Sequence, residues 1–369
     1  MSATRQTRTA PDVARIWFWT AADDGASWYR ADQPAGALRW AGHETWVSEV
    51  PIPSVAAKAD VIVVSRPARP EALKRLSELR ARYGCRIVAD LDDDYWAMEP
   101  GTYAHKSWHE DEDGALIKGL EEGLALADHV TVASSGEAAA CAEHGVQPDK
   151  ISVVPNGLHA SILGLPRDYE CGTTNDGVLT IGWSGTASSI EGLDLVGRAL
   201  SRALTRYAGK VRVRLVGFNP QVAPEGFRRA MTHLADSPAG QADVAHTEWV
   251  PHGDRYLSAV GMFDIWLAPY HNTAFNLAKF PTKALEAGFW GIPLIASDIT
   301  PYQEWFAGTH QGDHARLVSE YVPHEWSRQL GRLIESPELR RRYGEAARSA
   351  AAAYSLQEVG RRWESVLLG

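Results

Sequence analysis

The feature that most constrains this chain is a recurring pair: a short run of β-branched apolar residues, then a longer stretch with apolar residues at helical spacing. In the first half the runs are Arg15–Thr20, Ala59–Ser65, Cys85–Leu91, His129–Ala133 and Ile151–Val154. Helical periodicity fills Glu71–Tyr83, Ala115–Ala127 and Glu137–Glu143 between them. Runs that are apolar throughout belong to strands buried on both faces. Their alternation with helices builds a parallel sheet covered on each side. Pro155-Asn156-Gly157 breaks the pattern, and the polar stretch Leu163–Gly177 follows. The pattern then resumes with strands at Leu179–Trp183, Val211–Gly217, Ala245–Val250, Phe263–Pro269 and Ile292–Ser297, and helices over Ile190–Tyr207, Pro281–Phe289 and Pro337–Ala352. The expected fold class is α/β, with two doubly wound domains facing a central cleft and ligands held at the strand C-termini. The expected boundaries are a first domain over 1–165, a linker over 166–178, a second domain over 179–350, and a terminal segment over 351–369 whose helix crosses back to the first domain.

Size agrees with two domains, because 369 residues exceed what one core usually serves. With 45% hydrophobic and 22% charged residues the composition is that of a folded globular chain rather than a disordered one. The formal charge of −9 argues against wrapping nucleic acid through a general basic field, leaving only a local basic patch as a route to it. Three cysteines, Cys85, Cys141 and Cys171, are too few and too scattered for a disulfide framework or a zinc cluster, which suits a reducing compartment. No apolar run is long enough to span a bilayer, and Ile16–Trp19 is too short for a signal-peptide core. A cytoplasmic protein is expected, with contact at the inner membrane surface left open. The 14 tryptophans are numerous; most are expected in the core.

The strongest chemical signal is Phe275-Asn276-Leu277-Ala278-Lys279-Phe280-Pro281-Thr282-Lys283-Ala284-Leu285-Glu286. Proline suits the first turn of a helix, and the unpaired N–H groups there attract an anion. Lys279 and Lys283 bracket that start, and Glu286 falls on the same face as Lys283. Two cations followed by a carboxylate suit a diphosphate and the ribose attached to it; a surface helix with an i, i+3 ion pair is the plainer alternative. A second signal is Gly182-Trp183-Ser184-Gly185-Thr186-Ala187-Ser188-Ser189, a small-residue turn from strand to helix. It lets a phosphate approach the backbone, or is simply a tight turn with Ser188 or Ser189 as N-cap.

Together these segments resemble the GT-B glycosyltransferases, in particular the large retaining family 4 class. The likeness rests on Asn276, Lys279, Lys283, Glu286, Gly291, Pro293, Ala296-Ser297-Asp298 and Pro301-Tyr302. It implies two Rossmann-like domains and a transferase that takes its sugar from a nucleotide-diphosphate donor, with retention of configuration and without metal or other cofactor. It gives Glu286 the donor ribose and the Gly185–Thr186 loop the diphosphate, with Asn276, Lys279 and Lys283 alongside. Trp249 and Val250, at the end of the strand before Pro251, would face the nucleotide base. Many relatives carry a second glutamate eight residues before the first named one, where this chain has Ala278, so that role stays unassigned.

Two further segments bear on the acceptor. Asp90-Leu91-Asp92-Asp93-Asp94-Tyr95-Trp96 ends a strand with clustered carboxylates. Asp92, Asp93 and Asp94 admit three readings: acceptor recognition or catalysis, loop capping, or a divalent cation. No metal is expected, since enzymes of this likeness generally need none. The loop Asp23–Arg30 resembles the family's N-terminal loop near the reacting centre. Gly25, Tyr29 and Arg30 are its acceptor candidates, Arg30 through a bidentate grip on a phosphate or carboxylate, or else paired with Asp32 or another acid. His109, four residues after His105, is a further catalytic candidate. The acceptor class stays open among glycans, lipid-linked glycans, proteins and small molecules. A nucleotide-sugar epimerase and a non-catalytic sugar-nucleotide or glycan binding protein share the same architecture.

Overall fold

The structure is a computed structural model that describes residues 13–102, 105–110, 114–174, 176–186, 189–217, 228, 232, 244–247, 253–307 and 315–369. The chain divides into two compact units, one formed by the chain up to Asp92 with Leu116–Pro155 and Leu356–Gly369, the other by Asp93–Ala115 and Asn156–Ser355.

The first unit is a six-stranded parallel sheet of β1 (Arg15–Trp19), β2 (Glu44–Ser48), β3 (Val61–Ser65), β4 (Arg86–Asp90), β5 (His129–Val132) and β6 (Ile151–Val153), in the order β2-β1-β3-β4-β5-β6. Phe18 sits opposite Val47 on one side and Val63 on the other. The winding reverses at β1 and β3, and that is where an open α/β sheet leaves a crevice beyond its strand ends. The loop after β1 and the residue after β3 meet there, Arg66 donating to Asp24 at 2.8 Å. Arg66 takes a left-handed backbone (φ 49°) to do so. Asp24 in turn caps the turn Gly25–Ser27. Beneath the sheet, Ile16, Phe18, Leu38 and Val63 pack with Val359, Trp363 and Leu367 of the last helix, Leu356–Leu368. The helix Ala115–Leu126 lies close against the backbone after β3; a Cβ on Gly119 would come 1.9 Å from the Ala68 carbonyl oxygen.

The second unit repeats the plan with β7 (Leu179–Ser184), β8 (Val211–Val216), β9 (Val244–Thr247), β10 (Ile265–Ala268), β11 (Leu294–Ser297) and β12 (Ala315–Val318), ordered β12-β11-β10-β7-β8-β9 and all parallel. Every residue of β7, β10 and β11 is buried, as expected for central parallel strands. In β8 burial alternates over Val211–Arg214, so that Arg212 reaches Asp176 at 2.7 Å. The reversal of winding falls between β7 and β10.

Several sequence expectations are corrected. The stretch 166–178 is no free linker, because it is strapped to the second unit. Arg167 lies 3.5 Å from Asp264, Tyr169 donates to the Gly291 carbonyl at 2.8 Å, and Arg340 holds the Tyr169 carbonyl at 2.6 Å. Arg167 and Thr173 of the stretch serve the buried carboxylate of Asp264, which also accepts from the Thr180 N–H. Residues 93–115, counted with the first domain on sequence, fall with the second unit. The helix expected over Ile190–Tyr207 starts as a 3-10 turn, Ile190–Leu195, and becomes α-helical at Gly197–Arg206. Strands β2 and β12 went unread, β2 because a half-exposed edge strand lacks a continuous apolar run.

Candidate functional site in the second unit

The site is built at the winding reversal of the second sheet. Beyond β7 the chain enters Gly185–Thr186, and beyond β10 it enters Pro269–Tyr270. The two exits touch so closely that a Cβ on Gly192 would lie 2.1 Å from the Pro269 carbonyl oxygen. Gly185 is likewise tightly placed, because a Cβ there would meet the buried Trp183 ring at 2.7 Å. Its own N–H donates to the Val216 carbonyl at 3.0 Å, and Thr186 is exposed. Ser189 does not cap the following turn, its hydroxyl donating instead to the Thr186 carbonyl at 3.3 Å. Ser188, Trp249 and Val250 lie outside the described residues.

Past β10 a short helix, Ala274–Ala278, is capped by Thr273, and the helix Thr282–Trp290 follows. Lys283 through Phe289 are all buried. The Lys283 ammonium donates to the Tyr270 hydroxyl and lies 4.7 Å from the Tyr270 ring and 5.8 Å from the Trp183 ring. Among the described residues it has no carboxylate within ion-pair distance. A buried cation costs several kcal/mol of desolvation, roughly, unless an anion answers it. Here only a hydroxyl and two aromatic faces among the described residues answer it, while the start of the helix carries the same sign as the ammonium; its Thr282 and Ala284 N–H groups donate to the Phe280 and Pro281 carbonyls at 2.8 and 2.9 Å.

One turn deeper stands Glu286, 2% exposed, accepting from the Tyr256 hydroxyl at 2.9 Å; that hydroxyl lies 3.1 Å from the Ser184 hydroxyl. Burial, and then the charge of Glu286, push the Tyr256 phenol well above its ordinary value. Tyr302 is pushed up in the same way, by burial and then by Tyr270 and Glu286. Both phenols therefore stay protonated, and Tyr256 is a fixed donor to Glu286. The carboxylate is thereby held in one orientation, as a group that binds paired hydroxyls needs to be.

Asn276 braces the approach. Its amide donates to the His271 carbonyl at 3.0 Å. His271 in turn lies 2.9 Å from Asp194 and 3.7 Å from Glu320. The hydrogen bond to Asp194 raises the imidazole above its usual value, with burial working against it. Lys279 ends the short helix, its ammonium 3.8 Å from the centre of the Phe275 ring and paired with Asp93. Tyr270, Asn276, Lys279, Phe280, Pro281, Ile299, Pro301 and Tyr302 line a small, partly open pocket.

The aspartate cluster divides. Asp94 is buried and accepts from the Trp96 and Ala97 N–H groups at 3.1 and 3.2 Å, which is the loop-capping role. Asp92 lies 3.9 Å from Arg66. Asp93 reaches the lysine of the helix motif. His109 bonds the Tyr95 carbonyl at 2.8 Å and stacks on His105 at 4.6 Å. Among the described residues no group of three or more His, Cys, Asp or Glu is arranged to hold a metal ion.

Of the acceptor candidates on the first unit, Gly25 stays half-buried beside Asp24 and Arg66. Tyr29 is buried edge-on to Trp28 at 4.7 Å. Arg30 is turned inward: it grips Asp90 through two donors, at 2.6 and 3.1 Å, bonds the Val154 carbonyl at 2.5 Å, and lies 5.0 Å from the Trp363 ring. It braces the sheet rather than presenting a fork to an acceptor. The physical reason is Asp90, a buried strand-end carboxylate that needs a cation more than solvent does. Sequence reasoning missed Tyr256, for which no local signal exists. It also missed Tyr270, which the position directly after a central strand would have singled out.

Residues 174–350 match the family described as glycosyl transferases group 1. The chain is 26% identical over 255 residues to the D-inositol 3-phosphate glycosyltransferase of Acidothermus cellulolyticus, a match spanning 65% of this chain and 52% of that protein. It is 26% identical over 231 residues to the MMP alpha-(1->4)-mannosyltransferase of Mycolicibacterium hassiacum, spanning 62% and 51%. The chain thus spans about half the length of the curated relatives it matches. Among solved structures, Anabaena HepE in complex with UDP and glucose superposes with a TM-score of 0.67 at 13% identity, covering 95% of this chain and 98% of that one. A Rickettsia africae glycosyltransferase gives 0.64 at 16%, covering 96% and 97%. At such identities the likeness speaks for the fold, which is the GT-B architecture that the sequence resemblance implied.

Proposed function

We propose that this chain, a GT-B fold whose residues 174–350 form a group 1 glycosyltransferase domain, moves a sugar from a nucleoside-diphosphate donor to an acceptor hydroxyl. The observation that carries the reading is Lys283: a buried cation with no carboxylate partner among the described residues, at a helix start beyond the central strands. A diphosphate supplies the missing charge. Glu286, held by Tyr256, takes the ribose hydroxyls, and Gly185 lets the backbone approach the phosphates. UDP is the first donor base to test, since HepE was solved with it.

The reaction breaks the bond between the anomeric carbon and the β-phosphate oxygen and forms one to the acceptor oxygen. The acceptor proton passes to the leaving phosphate. Negative charge grows on the diphosphate as the bond loosens, and Lys283, Lys279 and the positive end of the helix dipole stabilise that state more than the ground state. With the lysines offsetting the charge, we assign no metal to the step, and by likeness to the family we assign retention of configuration. The acceptor side is given to Asp93 and His109 of the second unit, and the Gly25 turn of the first unit stands as a separate acceptor candidate. Cys85 and Cys141 are buried thiols outside any disulfide, in keeping with a reducing compartment, and no helix among the described residues is long and apolar enough to cross a membrane.

The test is calorimetric titration with UDP, followed by product analysis with a panel of nucleotide sugars. Lys283→Ala and Glu286→Ala each remove a charge-assisted bond, so affinity should fall about tenfold or more. Unchanged affinity in both variants removes the helix 282–290 from the donor site. Release of an isomerised nucleotide sugar without acceptor would make the protein an epimerase, and binding with no turnover of any donor would make it a binding protein.

A further inference from the structure

We propose that Asp93 is a built-in competitor for the donor: its carboxylate holds Lys279 while the site is empty and is displaced when a diphosphate arrives. This rests on the reading of the helix 282–290 as the diphosphate site, and adds how that site is regulated. Lys279 stands at the C-terminal end of the helix Ala274–Ala278, three residues before Thr282, beside the buried cation Lys283. Its own helix also holds it. The ammonium sits 3.8 Å from the centre of the buried Phe275 ring, four residues back on the same short helix. The cation is therefore placed by its own element, while the anion comes from 186 residues away in sequence.

Asp93 is the aspartate of its cluster that answers to the helix motif, since Asp94 caps its own loop and Asp92 lies toward Arg66. A carboxylate and a phosphate of like charge repel each other across one ammonium. The diphosphate carries more charge and also draws on Lys283 and the positive end of the helix dipole, so it prevails. Two consequences follow. In the empty site the charge of Lys279 is already offset, which lowers the apparent affinity for any diphosphate. The Asp93 carboxylate becomes available to an acceptor hydroxyl only after the donor has displaced it, so the donor binds first.

The experiment uses inorganic pyrophosphate, which needs no knowledge of the base, together with UDP, titrated calorimetrically into the full chain. Asp93→Asn keeps the shape and removes the charge; it should tighten pyrophosphate binding by about two- to fivefold, the range of a partly exposed ion pair. Asp93→Glu keeps the competitor and should bind near wild type. A merely structural aspartate would move neither affinity in this pattern, and matched thermal melts show that the variants are folded. In a Lys279→Ala background, Asp93→Asn should have no further effect. Equal or weaker pyrophosphate binding by Asp93→Asn overturns the proposal while the donor-site reading stands. If Lys283→Ala binds pyrophosphate as tightly as wild type, it is the donor-site reading that has failed.

Discussion

At the scale of single residues, charge decides roles here by how much water it has lost. Lys283 and Arg30 are both buried cations, yet they imply opposite things. Arg30 is matched: Asp90 takes two of its donors and is itself bonded by Thr131 at 2.6 Å, and the two side chains are 1% and 2% exposed. Burial pushes the Asp90 carboxyl up, with Arg30 and Thr131 pulling it back. Removing the cation strands that carboxylate in the core. Arg30→Met should therefore cost about 3–5 kcal/mol in urea unfolding, with nucleotide affinity of the folded protein unchanged. A variant as stable as wild type would return Arg30 to the acceptor candidates. The sequence made Arg30 legible as important but not as internal, because its partner is 60 residues away on another strand. The placing of Lys283 and Glu286 on one buried helix was legible, since three residues separate them. Tyr256 was not, as it lies 30 residues from Glu286.

At the scale of elements, the central strands were the easiest to read, because burial on both faces leaves one possible composition. Edges such as Glu44–Ser48 hid, and so did the loops that the strand ends carry. The loop after β10 shows how such a segment is held. His271 ties it to Asp194 on the 3-10 turn Ile190–Leu195 and to Glu320 beyond β12, with Glu191 of the same turn close by. The bond to Asp194 raises the folded imidazole above the ordinary value of 6.5, against the pull of burial. A raised pKa means that protonation favours the folded state. The contribution is complete below the ordinary value and disappears as pH rises through the folded one. Thermal melts across this window should show wild-type stability falling above about pH 6.5, and His271→Gln should flatten that dependence. A wild-type profile with no slope there, or the same slope in His271→Gln, would show that another group governs it.

At the scale of the whole molecule, the order of the chain differs from the order of its units. The chain leaves the first unit for the second over Asp93–Ala115 and again at Asn156, returning for the last time at Leu356, so its last residues complete a core that its first strand began. Trp363 is fully buried, edge-on to Phe18 at 5.9 Å and under the guanidinium of Arg30, and Val359 and Leu367 flank it. Periodicity can suggest such a helix, but nothing local says which of two similar sheets it covers. The second unit has its own core, centred on Trp183, Ile181, Leu215, Leu267 and Trp326, with no residue of the last helix in it. Truncation after Ser355 should therefore remove stability unevenly. Burying Trp, Val and Leu side chains is worth about 1.5–3 kcal/mol each, so losing Val359, Trp363 and Leu367 together approaches the whole stability of an ordinary domain. Limited proteolysis of the truncated chain should cut within 13–155 and spare 179–351, and the protected fragment should still bind pyrophosphate through Lys283. If cleavage spreads equally through both units, their folding is coupled, and the last helix supports more than the core it enters.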